Sequence, residues 1–105
     1  MTSNTINHND VRNNRRISDG EYRAELERTA LADAISLAVL HYRVVRDLTQ
    51  TQFAEQLGWK QPHVARLEAA EHTPSFESIQ RLAKAGVIEV KVDREGTQVR
   101  ELASA

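Results

Sequence analysis

One glycine, Gly58, separates two short runs of helical periodicity, and the stretch around it from Leu48 to Pro74 leaves little choice of local structure. Thr49 is a good N-cap, and Gln52 follows three residues later, as a capping box requires. Phe53, Ala54 and Leu57 then recur at helical spacing. Gly58 predicts the end of that helix, because a left-handed residue past the last turn is cheapest for glycine. A second helix is expected from near Gln61, with Pro62 in its first turn, where no backbone bond is lost. Its inward side is Val64 and Leu67, with Ala65 as a further candidate, and Ala54 is small where the two helices would cross.

Two helices about such a turn make a helix-turn-helix plan. The residues Leu48-Thr49-Gln50, Phe53-Ala54, Leu57-Gly58, Gln61, Leu67-Glu68 and Pro74 stand in register without an insertion. On these residues the stretch resembles the Cro/cI-type (Xre) helix-turn-helix family of phage repressors and bacterial regulators, over about residues 35 to 86. It departs from the family at two places: Lys60 stands where Ser or Thr often caps the second helix, and Ala70 where Gly often follows the glutamate. The resemblance implies a mainly helical bundle of about four to five helices that binds a double-stranded operator. It also implies that Arg43 pairs with Glu68 as a structural clamp.

The rest of the chain supplies the surroundings of this unit. Residues 1–17 are polar, rich in Asn and Thr, and read as a disordered tail. Ser18 with Glu21 opens a capping box, and no proline interrupts the run from Asp19 to Arg46, so a long helix or two in tandem is expected. Ile35, Val39 and Tyr42 form one apolar stripe; Leu26, Ala30, Leu37, Leu40 and Val44 form a second, free to meet a partner chain. Beyond the motif, Ser75 caps a helix to about Ala85 whose core face would be Phe76, Ile79, Leu82 and Ala83. The period then changes to two at Ile88, Val90 and Val92, and Asp93 to Gly96 forms a turn before a weaker strand to Leu102. The expected organisation is therefore a tail (1–17), a helical domain (18–86) and a C-terminal β-hairpin or strand with its tail (87–105). Small size and a terminal hairpin resemble antitoxins of the HigA kind, in which a Xre domain is paired with an RNase toxin.

Composition narrows the function classes. There is no cysteine among 105 residues, so disulfides and thiolate metal sites are excluded. The four histidines show no ligand spacing, no glycine-rich phosphate loop occurs, and no nucleophile has a matched base, so no metal, cofactor or catalysis is expected. No signal peptide or membrane span is legible, which implies a cytoplasmic chain. The net charge is −1, but residues 1–18 carry +2, residues 19–40 carry −3 and residues 41–73 are neutral, so affinity for DNA requires cations gathered on one face.

The candidate contacts follow from the second helix and its flanks. Gln61 suits adenine through its amide edge, and Arg66 suits guanine in bidentate fashion. His63 is expected on the same outward side as Arg66, and Pro62 can touch only a thymine methyl. The resemblance assigns Gln50, at the start of the first motif helix, to phosphate, where backbone amides stand behind it. Thr51, Lys60, His72 and Thr73 are further phosphate candidates. The expected protein is a homodimeric, sequence-specific repressor with a cognate toxin. The opposing expectation is an interaction module of the same fold that no longer binds DNA, which the local neutrality and Pro62 favour.

Overall fold

The computed structural model describes residues 18–102. The expected tail, residues 1–17, and the last three residues lie outside the described residues. Four helices are followed by a hairpin: α1 (Asp19–Val45), α2 (Gln50–Leu57), α3 (Gln61–Ala69), α4 (Phe76–Lys84), β1 (Ile88–Asp93) and β2 (Gly96–Glu101).

α1 is one unbroken helix of 27 residues. Ser18 Oγ accepts from the Glu21 amide at 3.0 Å, and the Glu21 carboxylate accepts from the Ser18 amide at 3.0 Å. The same reciprocal box opens α2 between Thr49 and Gln52. α2 ends at Gly58 in left-handed geometry (φ 75°), a conformation that costs a residue with a Cβ about 1–2 kcal/mol. α3 starts at Lys60, which has extended cap geometry but makes no side-chain cap bond. It ends at Ala70, which takes the same left-handed conformation (φ 56°) without being a glycine.

The core lies where the inner face of α1 meets the motif. Ile35, Ala38 and Val39 pack with Phe53, Ala54 and Leu57 of α2, Val64 and Leu67 of α3, Leu82 of α4, and Val87 and Ile88. Tyr42 lies against Phe53 with ring centroids 5.4 Å apart.

α4 differs from its expected register. Phe76 is 74% exposed and Ala83 is also exposed, whereas Ser78 is buried beside Leu82. Phe76 is the first residue of α4, before the helix closes on the core. Ser78 is buried at low cost because its hydroxyl accepts from Ser75 Oγ and lies 3.1 Å from His63 Nε2.

β1 and β2 pair antiparallel, with Val90 opposite Val99 and Ile88 opposite Glu101. A lone hairpin is marginal in water, and this one lies on the helices. β2 runs beside α1 and β1 beside α4. His41 Nδ1 meets the Glu101 carboxylate at 2.8 Å, and the Leu102 amide donates to the Val87 carbonyl at 3.1 Å. The inward alternation fades along β1, from buried Ile88 through half-buried Val90 to Val92, which is 74% exposed.

Candidate nucleic-acid interface

A polar chain of side chains ties three helices together and ends at α3. Arg43 of α1 donates through Nε to Glu68 Oε2 at 2.7 Å and through Nη2 to Glu68 Oε1 at 2.9 Å. Its Nη1 donates to the Leu48 carbonyl at 3.0 Å, which holds the turn between α1 and α2. Glu68 Oε1 also accepts from Gln50 Nε2 at 2.9 Å, and Gln50 Oε1 accepts from Gln61 Nε2 at 2.7 Å. The Glu68 carbonyl, left without a helical partner near the end of α3, accepts from Ser36 Oγ at 2.7 Å.

The pair at the head of this chain is largely out of water, with side-chain exposures of 18% for Arg43 and 13% for Glu68. Burial pushes the Glu68 carboxyl up. The hydrogen bonds from Arg43 and Gln50, with the Arg43 charge, outweigh that and hold it below the ordinary glutamate value. The bond to Glu68 raises Arg43 in turn, so both stay ionised at neutral pH.

Gln50 therefore turns inward and spends its amide on Glu68 and Gln61, rather than standing free for phosphate. It keeps one N–H and one oxygen lone pair. Its closer effect is on Gln61, at the first position of α3. One amide hydrogen of Gln61 is committed, which fixes the plane of the side chain. The other hydrogen and the carbonyl oxygen are the donor and acceptor that an adenine edge requires.

His63 also stands differently from an outward-facing side chain. Its ring lies over Trp59 at 4.1 Å between centroids, and its Nε2 is 3.1 Å from Ser78 Oγ. Trp59, in the turn, presents a flat apolar face, and the Ser78 hydroxyl satisfies the imidazole nitrogen. Burial, aided by the nearby Arg66 charge, lowers the His63 value and keeps the ring neutral at pH 7. Trp59 and Ser78 carried no signal in the sequence beyond an aromatic in a turn and a serine near a cap.

Arg66 is exposed on the outer side of α3. With His63, His72, Thr73 and Pro74 it borders a shallow groove of about 250 Å³ between α3 and the start of α4. Thr51, Lys60 and Pro62 are exposed at the starts of α2 and α3. The arrangement leaves Gln61 exposed at the first position of α3 and Arg66 exposed more than a turn further on, with the loop residues His72 and Thr73 beside Arg66.

Residues 41–86 match the helix-turn-helix family model, somewhat under half of the chain, and the match covers α2, α3 and α4 entire. Over these residues the chain is similar to helix-turn-helix domains of the Cro/cI type. That similarity supports a DNA-binding transcription regulator, and α3 stands in the place of the helix that enters the major groove in such domains. No curated protein matches the chain, and no solved structure does. No helix among the described residues is long and apolar enough to cross a membrane.

Proposed function

We propose that the protein is a sequence-specific repressor that acts in the cytoplasm, without catalysis, as the antitoxin of a toxin–antitoxin pair. It binds an operator upstream of its own gene and neutralises an RNase toxin by direct contact. The observation that carries the DNA half is the pair of exposed side chains on α3: Gln61, oriented by Gln50, and Arg66, which has no acceptor among the described residues. The bonds from Arg43 and Gln50 to Glu68 hold α1, α2 and α3 in a fixed relation, so the reading side chains are positioned before DNA arrives. One such helix spans only a few base pairs. Specificity therefore calls for a homodimer on two half-sites about 34–36 Å apart on one DNA face.

The antitoxin half rests on the hairpin that follows α4 and the resemblance to HigA-type proteins. A second reading, a protein-interaction module that has lost DNA binding, draws support from the neutral charge of residues 41–73 and from Pro62 at the tip of α3. An electrophoretic shift with the DNA upstream of the gene separates the two. A salt-sensitive, competitor-resistant complex supports the repressor, and no shift at any salt supports the module. For the toxin, co-expression with the neighbouring reading frame supports the pair if a stable complex purifies and the toxicity of that frame disappears.

A further inference from the structure

Three polar side chains run from α3 to the first turn of α4 in a line that ends at the surface. Ser75 Oγ donates to Ser78 Oγ at 3.1 Å, and Ser78 Oγ lies 3.1 Å from His63 Nε2. Ser78 is 6% exposed, and its hydroxyl hydrogen has no acceptor other than that ring nitrogen among the described residues. It therefore donates to Nε2, which fixes the neutral imidazole with its own hydrogen on Nδ1. Trp59 covers one face of the ring, and Ser75, at the outer end of the line, is exposed. The charges around the ring are few. Its own helix contributes Arg66, which disfavours a second positive charge there. The loop after α3 contributes His72 to the same groove, and α4 contributes only the neutral Ser75 and Ser78. Glu77, the carboxylate in the first turn of α4, is exposed and stands outside the groove. No carboxylate lines the groove, so nothing there balances a proton on His63. A duplex does: it carries one negative charge per ~1.7 Å of its axis, and screening leaves about 8 Å of reach.

We propose that DNA binding is proton-linked at His63. A duplex seated on α3 draws a proton from solvent onto Nε2, which then donates to Ser78 Oγ. The Ser78 hydroxyl hydrogen swings to Ser75 Oγ, and the Ser75 hydroxyl hydrogen turns outward as a new donor for a phosphate oxygen. Both hydroxyls stay intact, and only the direction of the line reverses. Ser75 Oγ goes on accepting from the Ser78 amide, so α4 keeps its cap. This rests on the DNA-binding reading above and adds a dependence on pH to it. Operator affinity rises as pH falls below neutral, opposite in sign to the His63 contribution to the stability of the free domain.

The experiment uses the full-length protein and the duplex upstream of its gene, at fixed salt between about pH 7.5 and 6, the range in which an ordinary histidine titrates. Wild type should bind more tightly at the lower pH, by about three- to tenfold per bound copy, since a proton affinity raised tenfold by DNA returns at most tenfold in binding. His63→Gln should lose that gain, and His72→Gln, in the same groove, should keep most of it. The imidazole nitrogens of wild type, followed by NMR, give a second measurement that holds even where His63→Gln fails to fold. The expected ring carries its hydrogen on Nδ1 in the free protein, and its titration midpoint moves up when the duplex is bound. A ring with its hydrogen on Nε2 in the free protein overturns the relay. A midpoint that bound DNA leaves in place, or a pH gain that survives His63→Gln, overturns the linkage and leaves the DNA-binding reading standing. No binding at any pH overturns both.

Discussion

Removing Glu68 should damage the domain more than any other single loss of a surface-connected charge. Glu68→Ala leaves Arg43, only 18% exposed, with the Leu48 carbonyl as its one remaining acceptor, and strips Gln50 of the partner for its amide. Breaking a fully buried pair costs about 3–5 kcal/mol, and the residual exposure here puts the figure near the lower end, about 3 kcal/mol. For a domain of this size that is a fall in Tm of roughly 12–24 °C. Arg43→Ala should cost about as much, because it strands the carboxylate. The double variant strands no charge, so it should cost about 3–4 kcal/mol rather than the additive ~6, a coupling of about 2–3 kcal/mol. Urea unfolding of the four proteins measures this, read as midpoints at a common slope. Single-variant costs that add within about 0.5 kcal/mol would refute the clamp.

Three further outcomes follow from local geometry. Lys60→Ser should stabilise the domain by about 0.5–1 kcal/mol in thermal melts, because Lys60 already has the extended geometry of a cap but supplies no acceptor. Ala70→Gly should also stabilise, by about 0.5–1 kcal/mol, since relief of the left-handed strain at φ 56° exceeds the entropy glycine adds to the unfolded chain. Acid should act in two stages. His63 is held neutral in the fold, so below about pH 6.5 the unfolded chain binds the extra proton and stability falls as pH drops. Glu68 is held below its ordinary value, so its contribution is complete above that value and is lost as pH falls through the lower, folded one. Melts from pH 8 to 3 should show both stages, and His63→Gln should flatten the segment just below about pH 6.5.

What could be seen in the sequence was what local chemistry decides. The two capping boxes, the left-handed Gly58 and the proline-started α3 depend on residues three or four apart, and all stand where the spacing put them. The two stripes of α1 were equally legible, since 27 residues give the periodicity room to declare itself. What escaped were contacts made only by folding. Gln50 and Glu68 are 18 residues apart, and nothing local says that the glutamine turns inward to the carboxylate. His63 and Ser78 are 15 apart, and the Trp59 ring that shelters the imidazole is visible only once the turn is built. Phe76 shows the limit of a periodicity argument in a nine-residue helix, where the first turn can stand clear of the core.

Binding by four proteins to two DNAs tests most directly whether α3 reads bases. Wild type, Arg66→Ala, Gln61→Ala and Lys60→Ala are titrated against the operator and against random duplex across a salt series. Arg66→Ala and Gln61→Ala should each lose about 1–3 kcal/mol on the operator and little on random DNA. Lys60→Ala should weaken both alike and flatten the salt dependence by about one unit of slope, since it removes a phosphate contact and the counterion that goes with it. The contradictory result is an Arg66→Ala protein with intact operator affinity beside a Lys60→Ala protein that no longer binds: α3 would then grip the backbone without reading the sequence.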